Sequence, residues 1–411
     1  MNPHQPRGRR RTITPEDVRA AAKHDHDSVL ALTRALVAIP SRGGIDPYIP
    51  ILEAVSDWLH EHGLEALPVR DARGLALGLA CEIRGGRPGP RWVLNACLDT
   101  AGFDNLTAWT YPPTDPVIDD GWLYGRGSSD SKSGAAIFCH LAARLNQIRD
   151  QLAGRLVLLF DVDEHTGQFG GARAYFEHPE IRDDVAGVMI GYPGHSKIVI
   201  GGRGVHRVRL HVHGVTSHAG GSTSTPNAID KATELIALLR TAELPAPADP
   251  AFPLPAKLTI TAITGGEGYS LTPGICYVNV DIRTTPDVDN TAAAQLLRRA
   301  VATVDNAWPA TAPTYTEEVT QWSPFRLDRN APLAAALFDA AESLGVSVTP
   351  KIAGPSNIAN FLAGLGIPAT AGFGVSYEAM HGIDERIRID TLPTVQAVYH
   401  AAVLNLLCAP S

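Results

Sequence analysis

Cysteine is scarce and unpatterned in this chain: Cys81, Cys97, Cys139, Cys276 and Cys408 stand apart, with no CxxC spacing. An odd number cannot all pair within one chain, so a disulfide framework is not expected and a reducing compartment is. Long apolar runs are missing too. The longest stretches, such as Leu156–Phe160, have strand length and fall short of the roughly 18 residues that a membrane span needs, so no membrane partner is expected. Positive charge is not in excess: 35 Lys and Arg against 43 Asp and Glu leave −8, which argues against a chain built to coat nucleic acid. A small-molecule substrate is the expectation that remains. Methionine is rare at 3 residues, yet there are 15 histidines, a hint of metal or proton chemistry.

What is present reads as an ordinary globular protein of 411 residues, 45% apolar and 19% charged, long enough for two or three domains. Arg7, Arg9, Arg10 and Arg11 precede a charged stretch where a signal peptide needs an apolar one, so residues 1–13 read as a mobile tail and the protein as cytoplasmic. From Thr14 onward, Pro15 at the first helical position and acids in the first turn start a helix that runs toward Pro40. A second helix stops near Gly63. Short apolar runs follow (LALGLACEIRG, WVLNACLD, RLVLLFDVDE, AGVMIGY), alternating with helical patterns such as SGAAIFCHLAARLNQI. The alternation predicts an α/β fold with a mainly parallel sheet flanked by helices. Ligands in such sheets sit beyond the carboxyl ends of the strands, where Asp99, Asp163 and Glu164 fall.

From about Val205 the pattern changes to strand, helix, two strands, helix and strand, ending in TYTEEVT. This β-α-β-β-α-β order predicts a ferredoxin-like α+β domain over residues 204–322, inserted into a discontinuous α/β domain of residues 14–203 and 323–411.

Three segments carry the candidate chemistry. GWLYGRGSSDSKSGAA places Asp130 in a Gly- and Ser-rich turn just before a helix; FDVDEHTGQFGG puts Asp163, Glu164 and His165 at the mouth of a buried strand; GVSYEAMHGIDERI places His381 after a glycine-bearing loop. Adjacent ionisable residues at a strand mouth are costly unless they are paired or hold a metal.

These segments, with Cys97-Leu98-Asp99 at a strand end and Tyr192-Pro193 after another, occur in the order of a known family. The chain resembles the zinc-dependent amidohydrolases and peptidases that include acetylornithine deacetylase, succinyl-diaminopimelate desuccinylase, aminoacylase and carboxypeptidase G. Within the inserted domain, GVTSHAGGSTSTPNAI and VNVDIRTTP match as well. The resemblance implies a zinc-exopeptidase-like catalytic domain, an inserted lid and dimerisation domain, and a homodimer. It also implies a metal-dependent hydrolase acting on a C–N bond of a small carboxylate-bearing substrate.

The departures from the family are as informative as the matches. Its members hold two metals bridged by an Asp, here Asp130. Where a first-site His and acid are usual, this chain has Cys97 and Tyr192; where the second site has an acid and a His, it has His165 and His381. Asp130, His165 and His381 can hold Zn, Mn or Fe with positions left open, whereas a phenol near pKa 10 is a poor ligand at neutral pH. One ion rather than two is therefore expected, with Cys97 and Tyr192 as further candidate ligands. Glu164 matches the general base that activates water. Asp99 matches the acid that orients the missing first-site His, leaving it to orient Tyr192 or the substrate instead.

In the inserted domain, the resemblance makes His218 a stabiliser of the developing oxyanion, reaching a partner subunit, and Arg283 a clamp on a substrate carboxylate. Asn357 is a further candidate substrate contact. Three other readings stay open at this point: a deaminating or decarbamoylating hydrolase of a non-peptide such as an aryl amine, an inactive ligand-binding homologue, and a metal-free hydrolase with Cys97 as nucleophile.

Overall fold

Thr14 starts the first helix, Pro15–Val37, with a reciprocal cap: its Oγ1 accepts from the Asp17 backbone N–H at 3.2 Å while the Asp17 carboxylate accepts from the Thr14 N–H at 3.0 Å. The computed structural model describes residues 13–408, so all but the last residue of the expected N-terminal tail lies outside the described residues. The helix buries Val18, Ala22, Val29, Leu32 and Leu36, a stripe of helical period that joins the core with the helices Ser133–Gln147 and Leu392–Cys408.

The described chain divides into two units. The first holds 13–200, 327–351 and 365–408, and the second holds 201–326 and 352–364. In the first, a six-stranded sheet runs in the order Ala66–Arg70, Ala76–Arg84, Ala153–Asp161, Arg87–Cys97, Val185–Ile190 and Ala369–Ala371. The first two junctions are antiparallel and the last three parallel, so the sheet is mixed and mainly parallel, as the alternating pattern predicts. Its two central strands carry continuous buried apolar runs, Trp92–Leu94 and Leu156–Phe160, where both faces are covered. Cys97 and Asp161 are cross-strand neighbours at the carboxyl edge, so the loops that start there deliver Asp99 and the Glu164–His165 pair to one place. The next strand ends at Ile190 and delivers Tyr192 beside them. Close packing holds this edge to the helix after Asp130: a Cβ at Gly134 would lie 2.5 Å from the Gly191 carbonyl oxygen.

The second unit has the strands Lys257–Gly265, Ile275–Thr284, Gly204–His213 and Tyr315–Trp322 side by side in that order, all antiparallel. The helices Ala228–Arg240 and Asn290–Ala307, capped by Asn227 and Asp289, cover one face. There Val208, Leu210, Val278, Val280 and Ile282 meet Leu235 and Leu297 in a core of their own. This is the ferredoxin-like chain order. The short helix Ile358–Gly364, which the sequence reading leaves with the α/β part, belongs to this unit: the Asn360 amide donates to the carbonyls of Arg203 at 3.1 Å and Ser323 at 2.7 Å. Among the described residues, no helix is long and apolar enough to cross a membrane.

His400, buried on the helix Leu392–Cys408, gives the first unit an acid-sensitive point. Burial, together with the charge of Arg144, holds its pKa down to about 4 even though Asp25 pulls the other way. The folded state therefore resists a proton that the unfolded chain accepts near pH 6.5, so this contribution is complete above pH 6.5 and is lost as pH falls toward 4. His400→Leu removes the effect: urea unfolding at pH 7 and pH 4.5 should show a smaller stability difference than the parent, by up to about 3 kcal/mol.

Candidate metal centre

Asp130, His165 and His381 converge within the first unit. His381 Nε2 lies 2.9 Å from Asp130 Oδ2 and 3.2 Å from His165 Nε2, and His165 Nε2 lies 3.6 Å from Asp130 Oδ2. Asp130 is buried, on an irregular turn (Ser128–Lys132) whose Asp130–Ser131 peptide is cis. The His381 side chain is 49% exposed, which leaves the cluster open to solvent on one side. His381 has φ 62°, in the left-handed region that a residue with a Cβ rarely adopts.

Asp99 is fully buried, and its two oxygens accept from the backbone N–H groups of Glu164 at 3.1 Å and His165 at 2.9 Å. Its carboxylate thus fixes the backbone of the Glu164–His165 pair, and His165 Nδ1 lies 3.5 Å away. Tyr192 donates its hydroxyl to Glu164 Oε1 at 3.0 Å, and Glu164 Oε2 lies 3.2 Å from His165 Nδ1. Cys97 is fully buried, its sulfur 3.3 Å from Ser131 Oγ and 3.7 Å from Asp130 Oδ1.

The electrostatics follow from packing three carboxylates around two imidazoles. Burial pushes Glu164 up to about 7, with Asp130 and Asp99 adding to the rise and His165 and Tyr192 opposing it. Burial also resists charge on Asp130 and His165, but their mutual hydrogen bond, joined by His381 on one side and Asp99 on the other, outweighs it. Asp130 stays well below the usual carboxylate range and His165 rises well above the usual imidazole range. Burial and the surrounding acids push the Cys97 thiol and the Tyr192 phenol well above their ordinary values, so both are neutral. Asp161, driven by burial up to about 8, is protonated at pH 7 and adds no charge.

The buried Asp130 carboxylate thus faces a single point that it bounds together with two ring nitrogens. The donor set fits a divalent transition metal, for which imidazole and carboxylate are ordinary ligands. A second group, Cys97, Asp99 and His165, also brings its ligand atoms within 4.8 Å of one another.

Sequence reading missed Glu385, four residues after His381. Its side chain is completely buried and pairs with Arg126 at 2.7 Å. The other oxygen accepts from the backbone N–H groups of Gly127 at 3.1 Å and Ser129 at 3.0 Å and from the Ser129 hydroxyl at 2.7 Å. Arg126 in turn donates to the His381 carbonyl at 3.1 Å. The pair therefore ties the turn bearing Asp130 to the loop bearing His381. The only sequence cue was an arginine set between glycines in GRGSS, and nothing local links it to an acid 259 residues away.

The remaining candidates lie in the second unit. His218, exposed on the short strand Ser217–His218, accepts at Nδ1 from the Gly220 N–H at 3.0 Å. Arg283 points from the strand Ile275–Thr284, its Nε bonded to Asp281 Oδ1 at 2.8 Å and its Nη1 3.4 Å from Ser356 Oγ. Asn357 accepts from the Ala359 N–H at 2.9 Å and so caps the helix that follows.

A mixed α/β sheet with a cluster of metal-ligand chemistry at its carboxyl edge defines the metallohydrolase class. The model of peptidase family M20/M25/M40 matches residues 93–405. The chain belongs to that family and is a hydrolase acting on C–N bonds. It is 28% identical over 335 residues to a succinyl-diaminopimelate desuccinylase of Marinobacter nauticus, covering 79% of this chain and 85% of that one. Among solved structures, aminopeptidase PepT from Bacillus cereus superposes with TM-score 0.74 at 19% identity, over 93% of this chain and 98% of that one. The YXEP protein of Bacillus subtilis, a dinuclear metal-binding peptidase, superposes with TM-score 0.72 at 19% identity, over 93% and 99%. These superpositions match the mixed, mainly parallel fold.

Glu385→Ala leaves Arg126 buried without a counter-charge and should cost about 3–5 kcal/mol in chemical denaturation. A loss below 1 kcal/mol would mean that the pair holds nothing in place.

Proposed function

We propose that the chain hydrolyses an amide-type C–N bond in a small carboxylate-bearing substrate, with one divalent transition metal (zinc, manganese or iron) held by Asp130, His165 and His381 and with Glu164 as general base. The observation that carries the reading is the convergence of Asp130 Oδ2 and the Nε2 atoms of His165 and His381 within 3.6 Å beside the Glu164 carboxylate. A bound divalent ion supplies a water of lowered pKa and a polarised carbonyl.

Glu164 does the proton work. Its carboxylate takes a proton from the attacking water and returns it to the nitrogen as the C–N bond breaks, so it ends as it began. The Tyr192 hydroxyl holds Oε1, which orients the other oxygen, and Asp99 holds the backbone beneath it. In this reading His218 stabilises the oxyanion and Arg283 takes the substrate carboxylate; Asn357, committed to its helix cap, contributes through backbone placement.

One ion rather than two is supported by what the other candidates are doing. The Tyr192 hydroxyl is given to Glu164, both Asp99 oxygens accept from backbone, and the Cys97 thiol is neutral. The same neutrality argues against Cys97 as a nucleophile. Exposed Ile263, Tyr269, Leu271 and Tyr315 all lie on the second unit and support a homodimer formed through it. Buried free thiols at Cys81, Cys97, Cys139 and Cys276 suit a reducing, cytoplasmic setting.

The test is a screen of N-acyl, N-carbamoyl and aryl-amine carboxylates with metal-loaded protein. Glu164→Gln should lower kcat by about 10²–10⁴ while the metal content is retained. An equal rate removes Glu164 as the general base, and no turnover of any of these substrates by the parent sinks the hydrolase reading in favour of a ligand-binding homologue. Cys97→Ser should keep activity within a few-fold; its loss would point instead to a thiol-dependent site.

A further inference from the structure

The second unit's sheet has one face covered by the helices Ala228–Arg240 and Asn290–Ala307 and an opposite face that is polar. On that opposite face Arg203, Arg207, Lys257 and Arg283 line a groove of about 440 Å³ that contains a single acid, Asp281. Asp281 is already divided between two of them: Oδ1 accepts from Arg283 Nε and Oδ2 from Arg207 Nε, each at 2.8 Å. The outer nitrogens of Arg207 have no partner among the described residues. Lys257 has no side-chain partner among the described residues, and it stands directly across the ladder from Arg283, a like-charge pairing that costs stability. Arg203 spends Nε and Nη1 on the carbonyls of Gly354 and Pro255, both at 3.2 Å, and neither contact neutralises it. Burial and then the proximity of Arg283 lower its pKa. In a chain of net charge −8, gathering four cations around one shared acid favours a bound counter-anion.

The spacing narrows the choice of anion. Lys257, Arg283 and Arg207 sit on three adjacent strands, which spreads the charge over about 10 Å at the usual strand separation. A single tetrahedral oxyanion is too small to reach across it. Two carboxylates on a short chain span that width, and a guanidinium presents the planar fork that a carboxylate fits.

We propose that the groove binds a dicarboxylate group, with Arg203 and Arg283 taking one carboxylate and Lys257 and Arg207 the other. The substrate class thereby narrows from a carboxylate-bearing compound to one whose recognised part carries two. The assignment rests on the hydrolase reading only in calling the ligand a substrate; the binding itself needs no metal.

Calorimetric titration of the full chain, stripped of metal with chelator, tests this with glutarate, butyrate and inorganic phosphate as probes. Glutarate should bind at least tenfold more tightly than butyrate or phosphate. Lys257→Met, at an exposed position, relieves the like-charge pairing with Arg283 and should weaken glutarate at least fivefold, bringing it toward butyrate, with a melting temperature no lower than the parent's. Equal affinity for glutarate and butyrate, tightest binding of phosphate, no measurable binding, or indifference to Lys257→Met would each overturn the proposal. A chain that prefers glutarate in this way but hydrolyses nothing keeps the groove and loses the hydrolase reading, so the two failures are distinct.

Discussion

The ion pair of Arg126 and Glu385 is the contact on which the candidate centre depends. Two groups with side chains only 1% and 0% exposed stay charged because each is paired and hydrogen-bonded: Glu385 on both oxygens and Arg126 through Nη1 and Nη2, with only its Nε lacking a partner among the described residues. Glu385 collects the backbone N–H groups of the turn before Asp130, and Arg126 holds the carbonyl of His381. The ligands at residues 130 and 381 come from distant parts of the chain and from strained or irregular backbone, so neither segment sets its own position. Asp99 does the same service for Glu164 and His165 through their backbone N–H groups. Rigid placement of functional groups from beneath is what lets a site of few residues be specific.

The same placement explains the charge pattern. Three carboxylates held close together repel one another, and the molecule relieves this by raising Glu164, keeping Asp161 protonated and drawing a proton toward His165. A divalent ion at that point relieves the repulsion further. Replacement of the usual His and acid by Cys97 and Tyr192 lowers the charge on the other side of the cluster, since both are neutral there. A site with less negative charge has less need for a second ion.

Much of this was legible in the sequence. Strand-length apolar runs and helix-start signals such as Thr14-Pro15 mark elements whose stability is local, and the β-α-β-β-α-β order marks the second unit. Asp130, Glu164, His165 and His381 stand out because ionisable residues at strand ends and glycine-rich turns have few structural reasons to be there. What was not legible depends on contacts between residues far apart in sequence. Glu385 looks like one acid in a polar run until Arg126 is brought against it. Asp99 carries no mark of bonding to backbone rather than to a side chain, and the helix Ile358–Gly364 joins its unit through the buried amide of Asn360 and the packing of Phe361 on Trp322. The basic groove was visible only as Arg283, because Arg203, Arg207 and Lys257 join it through sheet register and not through spacing.

The central claim is that one metal ion is held by Asp130, His165 and His381. Titration of the metal-stripped chain with Zn(II) or Mn(II), with stoichiometry read by elemental analysis after desalting, tests it most directly. The account predicts one ion per chain, lost in His381→Ala and retained in Cys97→Ser. Two ions per chain with one lost in Cys97→Ser, or one ion that survives His381→Ala, would contradict it.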